Sequence, residues 1–160
     1  MISAFGIFLL SLSIMGFGFS YSKALKEEKE IIEGLLLLAE RVNTRIKCFR
    51  QGIDEIFDGF SHPALDSIGF TSVLKEKGMT FALSISGDRL GVGRDVITES
   101  KNFADGLGKS YYDEQLTLCE DYLTFLKGKY EEICAGLPTK TKLSLSLSCA
   151  ISALTAILFI

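Results

Sequence analysis

Residues Glu33 to Val42 read EGLLLLAERV. This run is the most apolar part of a longer repeat, and the residues on either side show its period. Leu25, Ile32, Ala39, Ile46, Ile53 and Phe60 recur every seven positions, and Leu35, Val42, Phe49 and Ile56 fill a second slot. Alternating steps of three and four define the seam of packed helices, not a strand of period two. The stripe at 33–42 is wider than a two-helix seam needs, so it suits the interior of a bundle. Gly52 costs about 1 kcal/mol against alanine within a helix and is expected to break this one. A second break is expected at GFSHPAL, because a helix cannot run through Pro63 into its own preceding turn.

Further along, the spacing predicts a helix from Ala64 to Lys77 closed by Gly78, and a shorter apolar piece from Met79 to Ser86 closed by Gly87. GDRLGVGRD reads as a turn. A helix is expected from Asp95 to Leu107, with Val96, Ile97, Phe103, Ala104 and Leu107 as its apolar side. A long helix is expected from Tyr111 to Ala135, with Leu116, Cys119, Leu123, Leu126, Tyr130 and Ile133 on one stripe. The expected fold is all-α, an antiparallel helical bundle of about five or six helices joined by short links.

Charge divides the chain more sharply than hydropathy does. All 17 basic and 20 acidic side chains lie between Lys23 and Lys142. The run at 1–22, MISAFGIFLLSLSIMGFGFSYS, carries no charge and as a helix would reach about 33 Å, against about 30 Å for a hydrocarbon core. No basic residue precedes it and no small-x-small cleavage site follows, so a retained anchor is expected, not a signal peptide. The run at 143–160, LSLSLSCAISALTAILFI, would reach about 27 Å. Ser144, Ser148 and Ser152 recur every four residues there and would share one helix face, as small residues do where helices pack in lipid. The expected organisation is a transmembrane helix at 1–22, a helical bundle at 23–142 and a transmembrane helix at 143–160. Lys23, Lys26 and Lys29 follow the first run, and Lys127, Lys129, Lys140 and Lys142 precede the second. By the positive-inside rule the middle is cytoplasmic and both ends are outside.

Little in the middle points to chemistry. A net charge of -3 argues against nucleic acid as a partner. Cys48, Cys119, Cys134 and Cys149 form no CxxC pair and, with His62 as the one histidine, give no metal-ligand spacing. No cofactor and no small-molecule substrate are expected. The glycines of GDRLGVGRD do not make GxGxxG. The GLGKS at 106–110 ends like a phosphate-binding loop, but Phe103 stands where such a loop needs its first glycine, and the preceding pattern is helical. The reading that accounts for each residue is a helix link. Gly108 ends one helix in the left-handed conformation, and Ser110 caps the next with Asp113 three residues on.

An uncharged N-terminal span, a helical middle, this link, a long final helix and a C-terminal span together resemble the stage III sporulation protein AB family. The shared motif is Phe103, Leu107, Gly108, Ser110 and Gln115, followed by LTLCEDYLTFLKGKYEEI. Tyr111 stands where the family has aspartate, the family's early Gly-x-x-Pro-Leu break is absent, and its glycine-rich last span is serine-rich here. The resemblance implies a soluble domain similar to the type II secretion F-type inner-membrane platform protein. It implies a component of the mother-cell-to-forespore channel, in the outer forespore membrane, that is not an enzyme. Its expected partners are a secretion-type ATPase, other membrane subunits of the channel and membrane lipid. Glu27, Glu28, Glu30, Glu131 and Glu132 are candidate contacts for that ATPase. The alternative is a small two-span transporter or pore subunit, against which the lack of ionisable side chains in both spans counts.

Overall fold

A computed structural model of the chain describes residues 2–49, 56–109 and 111–159, with backbone alone at 2–5, 7, 8, 10, 11, 49, 156, 158 and 159. The described residues are helical, with no strand among them. α1 runs Ile2–Phe49, α2 Pro63–Ser67, α3 Phe70–Ser86, α4 Arg94–Gly106 and α5 Tyr112–Phe159, with a single 3-10 turn at Gly87–Arg89. The chain divides into two compact units. One comprises Glu28–Glu132, the other Met1–Glu27 with Ile133–Ile160.

In the larger unit the seven-residue rhythm is the core. Ile32, Leu35, Ala39, Val42, Ile46, Ile56 and Phe60 are all buried. Phe70, Leu74 and Leu83 of α3, Val96 and Phe103 of α4 and Leu126 of α5 close over them. Within this unit α1 and α5 run antiparallel. Lys47 Nζ lies 2.7 Å from Glu120, Lys127 Nζ lies 3.7 Å from Glu40, and Lys29 Nζ sits 5.4 Å from the Tyr130 ring. The two ion pairs are exposed and worth at most about 1 kcal/mol each, so they report register while apolar burial supplies the stability.

The turn before α2 is held from α1. Arg41 donates from Nε to the Ile56 carbonyl at 2.8 Å and from Nη2 to the Asp58 carbonyl at 2.5 Å. His62 is extended and Pro63 opens α2, where its missing N–H costs nothing. Asp66 ties the corner together. It accepts from Ser61 Oγ at 2.5 Å and from the Thr71 hydroxyl, and the Ser61 bond, followed by the Thr71 bond, holds its carboxyl below the usual carboxylate range. A depressed carboxyl stabilises the fold above its unfolded pKa of about 4 and loses that contribution as pH falls through its folded pKa. Asp66→Asn is therefore expected to lower the urea midpoint at neutral pH and to narrow the gap from wild type in acid, below pH about 4.

Some boundaries differ from expectation and others meet it. The helix expected over 64–77 is interrupted at Gly69, whose φ of 77° ends α2 and opens α3. At Gly78 the expected helix end is met: with φ 80° and ψ 175° it leaves helical geometry, and helix resumes beyond it to Ser86. Gly87 closes α3 as expected, as its C-cap, and is also the first residue of the 3-10 turn. The last helix does not end near Ala135. α5 continues through Pro138, because a proline removes one backbone bond and leaves a helix otherwise anchored on both sides. Gly52 lies outside the described residues.

Among the described residues, no helix is long and apolar enough to cross a membrane. Over their described residues, the runs at 1–22 and 143–160 form the outer ends of the two 48-residue helices α1 and α5.

Candidate functional site

The link between α4 and α5 packs on the core through its first half. Phe103 is buried and stacks on Tyr122, with ring centroids 4.3 Å apart and an interplanar angle of 18°. The Tyr122 hydroxyl shares a 2.6 Å hydrogen bond with Ser100, one turn back on α4. Burial pushes the Tyr122 phenol well above its usual range, which keeps it neutral. The sequence pattern missed both Ser100 and Tyr122. The signal lay in their spacing, since Ser100 and Phe103 share one helix face.

The second half of the link is exposed. Leu107 is buried and donates its N–H to the Phe103 carbonyl at 3.1 Å. Gly108 then takes φ 76°, and the Lys109 N–H reaches the Gly106 carbonyl at 3.3 Å. Lys109 is solvent-exposed and the link leaves a helix, so the strand-borne cradle of a phosphate loop is not formed here. α5 begins at Tyr112, and the Gln115 N–H bonds the Tyr111 carbonyl at 3.0 Å. That geometry puts Tyr111 where the sequence placed the Ser110 cap; Ser110 itself lies outside the described residues. Asp113 stands exposed in the first turn, on the favourable side of the helix dipole. Gly108→Val is expected to cost about 1–2 kcal/mol, the strain of a branched residue in the left-handed region, while Lys109→Ala stays within about 0.5 kcal/mol. Urea unfolding of the two variants checks this.

The five glutamates do not gather into one site. Glu27 belongs to the smaller unit and pairs with Lys23 at 3.3 Å. Glu28, Glu30, Glu131 and Glu132 belong to the larger. Glu132 pairs with Lys129 at 3.2 Å, and Lys129 also holds Asp95 at 2.8 Å. Glu30 and Glu131 are exposed and Glu28 half-exposed. No group of three or more His, Cys, Asp or Glu side chains converges among the described residues. The four cysteines are free, and burial pushes the Cys119 thiol up to about 11, which leaves it unreactive.

The smaller unit shows the least ordinary surface. Its two helix segments lie antiparallel, and Ser144 donates to the Gly18 carbonyl at 3.4 Å. Ser148 bonds the Ser144 carbonyl at 2.9 Å and sits so close to Gly18 that a Cβ there would collide with its hydroxyl. Gly18 and Ser22 are buried, while Leu12, Phe17, Phe19, Leu143, Leu147, Leu154 and Ile157 are more than half exposed. Glycine and serine line the contact between the segments and large apolar side chains face outward beside exposed Ser13, Ser20 and Ser146, whereas a water-soluble helix pair buries its large apolar side chains. The serine face was legible at four-residue spacing. Gly18, the residue it packs on, was not singled out, although Gly16 and Gly18 break an otherwise bulky run.

The chain matches no protein family model, no curated protein and no solved structure.

Proposed function

We propose that this protein is a membrane-anchored helical scaffold, a two-pass hairpin whose middle region is cytoplasmic. The observation that carries the reading is the inverted polarity of the smaller unit. Contiguous apolar surface of that kind is stable only against lipid or another protein. Read from the sequence, 1–22 and 143–160 are both uncharged and of spanning length, and lysines flank their inner ends. Glycine and serine at the contact suit helix packing in a bilayer, where close backbone approach replaces the hydrophobic drive.

Within that class, the resemblance to stage III sporulation protein AB favours an assembly role in the mother-cell-to-forespore channel. The chain would couple a secretion-type ATPase to the membrane subunits by binding alone. Glu28 and Glu30 lie beside Lys29 in sequence and Glu131 and Glu132 beside Tyr130, and these glutamates would be the contacts for the ATPase. Pull-down from detergent-solubilised membranes of the full chain against a co-encoded secretion-type ATPase tests this. Retention that weakens when these four glutamates become glutamine supports the role. A folded, membrane-embedded chain that captures no ATPase at micromolar concentration contradicts it.

A further inference from the structure

We propose that the smaller unit carries a specific binding site for one anionic phospholipid. The proposal rests on the membrane reading above and assigns a lipid class to one groove. That groove, of about 510 Å³, is lined by Phe19, Ser22, Lys23, Lys26, Thr141 and Leu145 with Ser20 beside them. Ser22 and Thr141 are both among its lining residues, and the hydroxyl of each is buried without a hydrogen-bond partner among the described residues. Ser22 is 7% exposed. A buried hydroxyl without a partner is unfavourable, so two in one groove call for an acceptor that enters it.

The chemistry of that acceptor follows from the rest of the lining. Lys26 is exposed and carries no ion pair among the described residues, whereas Lys23 is engaged by Glu27 at 3.3 Å. A phosphate would accept from both hydroxyls and from Lys26. Phe19 and Leu145 offer an apolar surface on the side of the uncharged runs, where acyl chains would lie. Lys23, Lys26, Lys140 and Lys142 against Glu27 leave this end of the unit basic. A zwitterionic headgroup brings a choline or ethanolamine cation that this lining has no acid to receive, so the site selects phosphatidylglycerol over phosphatidylcholine.

The test is native mass spectrometry of the full chain released from mixed phosphatidylglycerol–phosphatidylcholine vesicles, with alkaline-carbonate extraction of the same membranes run beside it. Wild type is expected to retain phosphatidylglycerol in preference. Lys26→Gln should lower that retention about fivefold, the worth of one lysine near an anionic surface. Ser22→Ala with Thr141→Val should lower it at least as much without changing bulk charge. Lys140→Gln, outside this groove, should leave it intact. Equal retention of the two lipids, or equal loss in the Lys140 and Lys26 variants, would overturn the site in favour of diffuse attraction. Loss of the chain into the carbonate supernatant would instead overturn the membrane reading itself.

Discussion

Leu12→Arg is expected to displace the protein from the membrane fraction by about 3 kcal/mol, on the order of a hundredfold in the partition ratio. Leu12 lies half-way along the uncharged run of 1–22 and is 58% exposed. If that exposure faces lipid, an arginine there is placed near the middle of the hydrocarbon. If it faced water, the same change would replace an exposed leucine with a solvated cation, within about 0.5 kcal/mol of neutral and more soluble. The two surroundings thus give opposite results from one substitution. Leu37→Arg is the control. Leu37 is also exposed, at 45%, but lies in the larger unit, and its substitution should leave the membrane fraction unchanged. Fractionation of cells expressing each variant, read by immunoblot, provides the comparison.

Phe103→Ala is expected to cost about 3–5 kcal/mol, a large part of the 5–15 kcal/mol that holds an ordinary domain together. Phe103 is 1% exposed, and removing its ring leaves a cavity against Tyr122 and forfeits the stacked contact. The loss should be local before it is global. Hydrogen exchange of the full chain in mild detergent should speed up first over 94–106 and 112–126, the segments that the stack joins. Tyr122→Phe separates packing from polarity, because it keeps the ring and strands the Ser100 hydroxyl, at about 1–3 kcal/mol. If Phe103→Ala left the exchange of α4 unchanged, the aromatic stack would not be what fastens the link to the core.

The sequence was most legible where one physical demand acted alone. Burial of a helix face leaves a seven-residue mark, and Ile32, Leu35, Ala39 and Val42 are buried as that mark requires. The left-handed turn at Gly108 was legible because it follows Leu107, the apolar residue that caps α4. Where two demands competed, the pattern misled. Pro138 looks like a boundary, yet the flanking turns carry α5 past it. Gly69 breaks a helix whose apolar spacing continues across it, because spacing records which residues are buried and not whether the backbone between them stays helical. The Ser100–Tyr122 bond and the grip of Arg41 on Ile56 and Asp58 join residues 15 or more positions apart, which no local periodicity records. In the smaller unit the serine spacing was visible, but the pairing of Ser144 with Gly18 spans 126 positions and only the fold brings them together.

The central claim is the two-pass hairpin, and a membrane-impermeant maleimide tests it most directly. Cys48 is exposed in the larger unit and serves as the native internal reporter, with Cys149→Ser removing the exposed thiol of the apolar end. Ile2→Cys adds a reporter at the other side of the first span. In intact vegetative cells made to express the chain, where it enters the cell membrane, the account predicts labelling at position 2 and none at Cys48, with Cys48 labelled once the membrane is opened. Protection of both thiols until lysis, or labelling of both in intact cells, would contradict a hairpin with its middle in the cytoplasm.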